Sequence, residues 1–315
     1  MRIAVFGTGG ASGYFGAMLA RRGQEVVFIA RGAHLQAMRA NGLHLETPTE
    51  QFVLNPIEAT DDPAQAGSVD AVILGVKTWD VLAAAESMRG MMRQETCVAP
   101  LQNGVEAPFQ IASVLGTAHA VGGMARIVSF ITAPGHIKHA GFEPLIAFGE
   151  LDNRPSARLE RLRDAFRDAG VPCEIPRDIH VALWNKFLFV VAFGGVGALT
   201  RVPAGVLRSD REMRALLEQA MGEIFDVARA RGIALPDDAV ANGMRLVDSL
   251  PSDATSSLQR DIMEGKRSEL DAWSGAVVRL GREVNVTTPT HQFIYDALLP
   301  FELLARGESA KEGTA

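Results

Sequence analysis

The chain has 315 residues, 47% hydrophobic and 22% charged, and its formal net charge is −6. These values are typical of a globular protein with one large or two ordinary domains. Because no block is rich in lysine or arginine, they disfavour non-specific binding to nucleic acid. The cysteines, Cys97 and Cys173, lack the spacing of a disulfide framework or a zinc site, so we expect a reducing, cytoplasmic location and no bound metal.

No targeting or membrane segment is expected from the sequence. The first residues predict a strand instead of a signal peptide. The longest uncharged apolar run, residues 187–200, is shorter than the roughly 20 residues of a membrane span. It also contains several glycines, so we interpret it as a buried helix.

Short β-rich runs alternate with helical stretches in the first half of the chain. This alternation predicts a parallel, doubly wound sheet. From about residue 122 to 148 the pattern changes to short β segments, which we expect to extend that sheet in the antiparallel direction. The predicted strands cover residues 2–6, 25–29, 71–76 and 96–99, and the predicted helices cover residues 11–21, 34–40, 81–92 and 106–115.

The second half of the chain has helical patterns and almost no strand signal. We therefore place a domain boundary after residue 176, which gives an α/β domain at 1–176 and an all-helical domain at 177–315. Helices are predicted at residues 213–230 and 288–303. Apolar residues at spacings of three and four predict a buried stripe on one further helix. This stripe consists of Leu270, Trp273, Val277 and Leu280.

A glycine-rich turn, "GTGGASGYFGAMLA", follows the first predicted strand. Gly7 and Gly9 match the first two glycines of the dinucleotide fingerprint, which allow a tight turn and a close approach of the pyrophosphate. Ser12 stands at the third glycine position and is small enough for close packing of helix on strand. We predict a dinucleotide site here; the alternative is a generic strand–turn–helix. The predicted cofactor-binding residues of the turn are Gly7, Thr8, Gly9, Gly10, Ala11 and Ser12.

The loops after the other predicted strands indicate the kind of dinucleotide. An acid after the second strand would bind the ribose of NAD, but this chain has Arg31 there and no acid nearby. A guanidinium suits a 2′-phosphate, so NADPH is the predicted cofactor. Lys77 and Asn103 follow two further strands, at the edge where open α/β sheets bind ligands. The alternative for Arg31 is an ordinary surface arginine, that for Lys77 a solvated lysine, and that for Asn103 an Asn-Gly turn.

Lys186 is the lone charge in the apolar stretch "LWNKFLFVVAFGGVGALT". Burial among apolar side chains lowers the pKa of a lysine, which suits a general acid in carbonyl reduction. The alternative is a lysine whose stem packs on the helix while its ammonium reaches solvent. Glu269 lies at the edge of the Leu270 stripe and could orient a lysine; the pattern alone favours an ordinary surface acid.

The chain resembles the ketopantoate reductase (2-dehydropantoate 2-reductase) family almost from end to end. The resemblance is carried by "GTGGASGYFGAMLA", "ARGAHL", "GVKTWD", "LQNGVE", "GFEPLIAFGE", "LWNKFLF" and "SSLQRDIMEGKRSELD", in this order. It implies a Rossmann domain and an all-helical domain like those of the hydroxyacid dehydrogenases and 6-phosphogluconate dehydrogenase. It also implies an active site between the two domains, a 2-oxo acid substrate, and a homodimer in many members.

The resemblance further implies a role for each candidate residue. Gly7, Gly9 and Ser12 would hold the pyrophosphate, and Arg31 and Lys77 the 2′-phosphate region. Lys186 would donate a proton to the ketone oxygen, and Glu269 would lie near the nicotinamide and position the lysine. Asn103 would lie between cofactor and substrate, and Ser257 would bind the substrate carboxylate.

The chain departs from the family pattern four and eight residues after Lys186. Asparagines are usual there, but this chain has Val190 and Gly194, which share a helix face with Lys186. We therefore expect an apolar, partly empty pocket wall, which cannot discriminate a substrate hydroxyl by hydrogen bonding. This leaves two alternatives to reduction of 2-dehydropantoate: the same chemistry on a less polar 2-oxo acid or ketone, and a regulatory NADP(H)-binding protein without catalysis.

Overall fold

The structure is a computed structural model and describes residues 1–308 of the chain. These residues divide into two units. The N-terminal unit contains Met1–Gln102 and Glu106–His180, and the helical unit contains Asn103–Val105 and the chain from Val181 onward. The division falls after His180, where the sequence analysis placed it after residue 176. The end of the predicted helical domain, residues 309–315, lies outside the described part of the chain.

The described strands and helices follow in chain order. The strands are β1 (Arg2–Phe6), β2 (Glu25–Ile29), β3 (Leu43–Glu46), β4 (Gln51–Leu54), β5 (Glu58–Thr60), β6 (Ala71–Leu74), β7 (Cys97–Pro100), β8 (Val121–Ala133), β9 (His136–Glu150) and β10 (Cys173–Glu174). The helices are α1 (Gly10–Arg21), α2 (Gly32–Asn41), α3 (Val81–Ser87), α4 (Ala107–Leu115), α5 (Ala157–Asp168), α6 (Ile179–Thr200), α7 (Ala204–Ser209), α8 (Arg211–Ala230), α9 (Ala239–Ser249), α10 (Ser257–Met263), α11 (Ser274–Glu283) and α12 (Pro289–Ala305).

The N-terminal unit is built on a parallel sheet with the strand order β5-β2-β1-β6-β7. Both faces of this sheet are buried. Along β1, Ile3 and Val5 belong to one core cluster, whereas Ala4 and Phe6 belong to another. Because successive side chains of a strand point to opposite faces, the two clusters lie on the two sides of the sheet. The predicted doubly wound α/β fold is confirmed.

The segments after β7 form a second sheet instead of extending the first. β8 and β9 are a long antiparallel hairpin, and β9 pairs in parallel with β3 and with β10. Within residues 1–308, the strand pairing between this region and β7 is limited to an isolated parallel bridge between Val98 and Ala120, although β8 packs beside β7. The expected antiparallel extension is therefore wrong. The strand β3, the pairing partner of β9, was not predicted, because its four residues, LHLE, alternate over too short a stretch and form no continuous apolar run like those of β6 and β7.

The helical unit departs from expectation at the Leu270 stripe. The predicted single helix is broken into a 3₁₀ turn, Leu270–Ala272, followed by α11. The break is at Trp273, whose backbone angles, φ −104° and ψ −97°, are not helical. All four residues of the stripe are nonetheless buried. Burial was predictable from the apolar spacing, whereas the change of direction was not.

Helix α6 carries Lys186 and is the most apolar long element of the described chain. It is the one described helix that is long and apolar enough to cross a membrane by length and composition. Of its most apolar window, 67% is buried inside the protein. This burial is typical of the core helix of a globular domain.

Candidate active site

The turn between β1 and α1 requires glycine at its first position. Gly7 has φ +80°, in the left-handed region, and a Cβ there would come within 2.7 Å of Val76 Cγ1. The backbone N–H groups of Gly7 and Thr8 both donate to the carbonyl oxygen of Ile29, at 3.0 Å each. The turn is thus fixed to the end of the neighbouring strand β2.

Gly9 is a different case, because packing within the protein does not require it. A Cβ at Gly9 would meet no atom closer than 3.9 Å, and its φ of −94° suits any residue. The space beside Gly9 therefore suits a ligand that approaches the backbone closely. Helix α1 begins at the next residue, Gly10, and its first N–H groups have no acceptor within the helix. These two features fit the pyrophosphate of a dinucleotide.

Ser12 occupies the position of the third glycine of the fingerprint and stabilises the turn. Its hydroxyl donates to the carbonyl oxygen of Gly7 at 2.7 Å and accepts the N–H of Gly9 at 3.0 Å. The Ser12 side chain fits because the facing residue, Gly75 after β6, has no side chain. A Cβ at Gly75 would overlap Ser12. Packing also requires glycine at position 10, because a Cβ at Gly10 would overlap the backbone of Ser129 in β8.

Two cations lie after the strands that flank β1. Arg31 follows β2 and precedes α2, and Lys77 follows β6, and both side chains are exposed. The ammonium of Lys77 is 5.7 Å from the ring centroid of Trp79. Because β2, β1 and β6 are adjacent in one parallel sheet, both cations are at the edge that carries the glycine turn. This placement fits a negatively charged group of the dinucleotide.

Gln102 is a residue of this edge that the sequence analysis missed. Its Nε2 donates to the carbonyl oxygens of Leu74 at 3.2 Å and Val76 at 2.8 Å, which fixes the loop before Lys77. Its Oε1 is buried and has no hydrogen-bond partner in the described structure. The one sequence signal for it was its place beside Asn103 in "LQNGVE".

In the helical unit, Lys186 has a strongly perturbed ammonium group. Removal from water lowers the pKa of Lys186, and the negative charge of Glu269 acts in the opposite direction. The resulting pKa is about 8. This is the direction of shift that the sequence predicts, and the Glu269 carboxylate is close enough to Lys186 to influence it. A lysine with a pKa near neutrality can release a proton far more readily than an ordinary one.

Glu269 does not lie on a regular helix. It immediately precedes the 3₁₀ turn Leu270–Ala272, and its carbonyl oxygen accepts the N–H groups of Ala272 and Trp273 at 3.1 Å each. Its half-buried position differs from the exposed surface acid that the pattern alone favours. The charge of Glu269 therefore acts on Lys186 although the two residues are far apart in the sequence.

The predicted substrate residues Asn103 and Ser257 belong to the same helical unit. Asn103 is in the short segment Asn103–Val105, which groups with this unit although it follows β7. A Cβ at the next residue, Gly104, would lie 3.8 Å from the carbonyl oxygen of Ala272. Ser257 is half-buried at the first position of α10, after the capping residue Ser256.

The pocket wall at Gly194 is filled, and the expectation of an empty space there is wrong. A Cβ at Gly194 would overlap the indole ring of Trp273 and lie 3.3 Å from the hydroxyl of Ser256. The broken backbone at Trp273 therefore places its ring on the glycine. Val190, one turn before Gly194, is half-buried. The spacing of Trp273 in the apolar stripe predicts its burial but not its contact with Gly194.

A dinucleotide-binding edge in an α/β unit, and a desolvated lysine with a carboxylate in a helical unit, define the class of oxidoreductases that use a nicotinamide cofactor. The family model described as "Ketopantoate reductase PanE/ApbA" matches residues 3–153, and the model of its C-terminal region matches residues 178–302. The chain therefore belongs to the ketopantoate reductase family. It is an oxidoreductase of the 2-dehydropantoate 2-reductase type.

Individual relatives agree with this assignment. A 2-dehydropantoate 2-reductase of Mesorhizobium japonicum is 29% identical over 311 residues, which cover 92% of this chain and 94% of that protein. A ketopantoate reductase from Ralstonia eutropha, known from a crystal structure, is 32% identical in sequence and has a TM-score of 0.89. The match covers 97% of this chain and 100% of the Ralstonia chain. A D-mandelate dehydrogenase, 21% identical with a TM-score of 0.89 over 97% of this chain and 100% of its own, shares the fold.

Proposed function

We propose that this protein reduces a 2-oxo acid to a 2-hydroxy acid with NADPH, and that the substrate is 2-dehydropantoate, which yields pantoate for pantothenate biosynthesis. The observation that carries the proposal is the lowered pKa of Lys186, about 8, in a helical unit that also holds Glu269, Asn103 and Ser257. The family membership of the whole chain supports it.

The residues that would hold the cofactor are at the carboxyl edge of the parallel sheet and in the helical unit. The space beside Gly9 and the start of α1 fit the pyrophosphate, and Arg31 with Lys77 fits a 2′-phosphate. Asn103 and Glu269 would complete the site near the nicotinamide. When bound, reduced nicotinamide supplies a hydride for a carbonyl carbon.

Lys186 would act as the general acid. As the carbonyl carbon is reduced, the π electron pair moves to oxygen, and that oxygen takes a proton from the ammonium of Lys186. The N–H bond breaks, an O–H bond forms, and neutral Lys186 then regains a proton from water. A pKa of about 8 keeps the lysine largely protonated at neutral pH and lowers the cost of releasing the proton. Asn103 and Ser257 would hydrogen-bond the substrate, and Glu269 would hold the lysine in place.

A less polar 2-oxo acid or ketone is the second candidate substrate. The observation that favours it is the wall of α6, where Val190 is apolar and the ring of Trp273 covers Gly194. A wall of this kind offers van der Waals contact and no hydrogen bond to a substrate hydroxyl. Such a wall separates substrates by size more than by polarity, and a single methylene changes the rate about 10- to 200-fold.

Two further parts of the proposal concern the surroundings of the enzyme. Cys97 and Cys173 are free and buried thiols, which supports a reducing, cytoplasmic location. The resemblance to the family supports a homodimer, which sedimentation velocity would test. We propose no nucleic-acid, membrane or metal partner.

The proposal is tested by following NADPH oxidation with a panel of substrates that contains 2-dehydropantoate, branched and aromatic 2-oxo acids and simple ketones. We expect the highest kcat/KM with a 2-oxo acid, a lower KM for NADPH than for NADH, and about 10²–10⁴-fold lower kcat in Lys186→Ala. Lys266→Ala is the matched control, because Lys266 is exposed and paired with Glu264 at 2.5 Å.

The outcomes of this panel are distinct. The best kcat/KM on 2-dehydropantoate supports the leading substrate, and the best value on an apolar 2-oxo acid supports the second. NADPH binding without turnover of any carbonyl compound would overturn both and favour a regulatory protein. Equal loss of activity in Lys186→Ala and Lys266→Ala would remove the proton-donor role from Lys186.

A further inference from the structure

A buried carboxylate on α12 holds the residue that precedes Glu269. Glu302 has no solvent exposure, and its Oε2 accepts both the backbone N–H of Ser268 at 2.8 Å and the Ser268 hydroxyl at 2.5 Å. Ser268 is itself fully buried. Two donors of one residue on one carboxylate oxygen fix both the backbone and the side chain of Ser268.

The residues after Glu269 are tied to the same helix. The Nε of Arg306 donates to Glu302 Oε1 at 2.7 Å, and its Nη2 donates to Asp271 Oδ2 at 2.5 Å. Tyr295, also on α12, donates its hydroxyl to Asp271 Oδ1 at 2.6 Å. The chain is therefore anchored to α12 one residue before Glu269 and two residues after it.

We propose that Glu302 is a positioning residue, which acts through Ser268 and Arg306 to hold the Glu269 carboxylate near Lys186. The proposal rests on the proposed function of Lys186 as the proton donor. Glu269 lies in a short irregular segment between α10 and the 3₁₀ turn. The N–H groups of Ala272 and Trp273 hold its carbonyl oxygen, and the bonds from Ser268 to Glu302 hold the residue before it. Since the interaction between two charges depends on their separation, a mobile Glu269 would affect Lys186 less.

The burial of Glu302 supports a specific role. A fully buried carboxylate is costly unless it is paired and hydrogen-bonded, and an apolar side chain of similar size would anchor a helix at lower cost. Glu302 Oε2 instead binds Ser268, in the segment that carries Glu269, and Oε1 binds Arg306, which also binds Asp271. A site that is held rigidly by its supporting hydrogen bonds keeps reacting groups within the narrow geometry that catalysis needs.

The experiment measures the pKa of Lys186 in the full-length protein by NMR titration of ¹³C-labelled lysine, with the Lys186 signal assigned by Lys186→Arg. In Glu302→Gln and Ser268→Ala we expect this pKa to fall by about 0.5–1 unit, part of the 1–3 units that a close opposite charge contributes. Glu269 is the charge whose effect on Lys186 would weaken. We also expect kcat to fall about 10- to 100-fold, with little change in the KM for NADPH.

Glu223→Gln is the matched control. Glu223 is a buried carboxylate that anchors the other end of α12, because it accepts the N–H groups of Thr290 at 2.7 Å and His291 at 3.0 Å. We expect no change in the pKa of Lys186 in this variant. Ser268→Thr keeps the hydroxyl, so its Lys186 pKa and its kcat should be those of the wild type. If Glu302→Gln fails to fold, the comparison of Ser268→Ala with Ser268→Thr tests the proposal.

An unchanged pKa of Lys186 in Ser268→Ala, or an equal fall in Glu223→Gln, would overturn the positioning role. The pKa measurement needs no turnover. A wild-type protein that reduces no carbonyl compound would refute the proposed function, and the Lys186 pKa in the same variants would still decide whether Glu302 positions Glu269.

Discussion

At the scale of single residues, Lys186 combines two opposed effects. Desolvation lowers its pKa from an ordinary 10.5 to about 8, and the charge of Glu269 prevents a larger shift. The balance matters chemically, because a lysine with a much lower pKa would be neutral at pH 7 and could not donate a proton. A lysine near its ordinary value would release the proton less readily.

The pH dependence of carbonyl reduction should therefore follow Lys186. The reaction needs the ammonium form, so kcat/KM for reduction should be level below about pH 8 and fall as the pH rises through about 8. The slope should approach tenfold per pH unit at higher pH. The measurement is the initial rate of NADPH oxidation between pH 6 and 10, with saturating cofactor.

Glu269→Gln supplies the comparison for this profile. Removal of the negative charge removes the effect that raises the lysine pKa, so the fall in rate should begin at a lower pH than in the wild type. A wild-type profile that stays level to pH 9.5, or a Glu269→Gln profile that shifts to higher pH, would be inconsistent with proton donation by Lys186.

At the scale of elements, the sequence predicted what depends on local pattern. The strands β1 and β2, the glycine turn and the helices α8 and α12 were predicted from hydrophobic runs or fixed motif spacing, and all are present. The short strands β3 and β4 have four residues each, too few for a periodic pattern, and neither is a continuous apolar run like the equally short β6 and β7, AVIL and CVAP. The pairing of β3 with β4 and β9 decides their structure, so the second sheet could not be predicted.

The candidate site divides in the same way. Gly7, Arg31 and Lys186 could be proposed from the sequence because their immediate neighbours mark a glycine turn, a strand end and an apolar helix. The contacts of Trp273 and Glu302 were not predicted because they join distant parts of the sequence: the Trp273 ring lies over Gly194, and Glu302 binds Ser268, 34 residues earlier. No local pattern indicates such contacts.

The turn between β1 and α1 allows a prediction that separates ligand binding from packing. Gly9→Ala should leave stability within about 0.5 kcal/mol of the wild type, because the new Cβ meets no atom within 3.9 Å. It should weaken NADPH binding about tenfold or more, since the methyl group would stand where the pyrophosphate approaches. Isothermal titration calorimetry and thermal unfolding would measure the two effects.

Gly13→Ala, one turn further along α1, is the matched variant. Its Cβ would overlap Ile137 in β9, so overpacking should lower the free energy of unfolding by about 1–3 kcal/mol. Its effect on NADPH binding should be smaller than that of Gly9→Ala. The reverse result, a destabilised Gly9→Ala with full affinity, would show that Gly9 serves packing and not the cofactor.

At the scale of the whole molecule, desolvation of the half-buried Lys186 lowers the stability of the folded protein. The shift of the Lys186 pKa from 10.5 to about 8 corresponds to about 3 kcal/mol at neutral pH, before any relaxation of the protein. In the unfolded chain the lysine keeps its ordinary pKa. Between about pH 8 and 10.5 the unfolded chain therefore binds more protons than the folded one, and the contribution of Lys186 to stability rises with pH.

Lys186→Met should consequently stabilise the protein while it abolishes proton donation. Methionine has a similar length and no charge to desolvate, so at pH 7 we expect the free energy of unfolding to rise by about 1–3 kcal/mol. This range allows for the loss of the favourable interaction between Glu269 and the Lys186 ammonium. The advantage over the wild type should narrow by about 1–2 kcal/mol between pH 7 and 9.5, because wild-type Lys186 becomes neutral in the folded state over this range.

Denaturant unfolding followed by tryptophan fluorescence suits this comparison, since Trp184 and Trp273 are both buried in the helical unit. Lys266→Met is the control: Lys266 is exposed, so its replacement should change stability by less than about 0.5 kcal/mol at either pH. If Lys186→Met were less stable than the wild type at pH 7, or its advantage grew with pH, then Lys186 would not be a desolvated ammonium in the folded protein. The physical basis of its proposed catalytic role would then be lost.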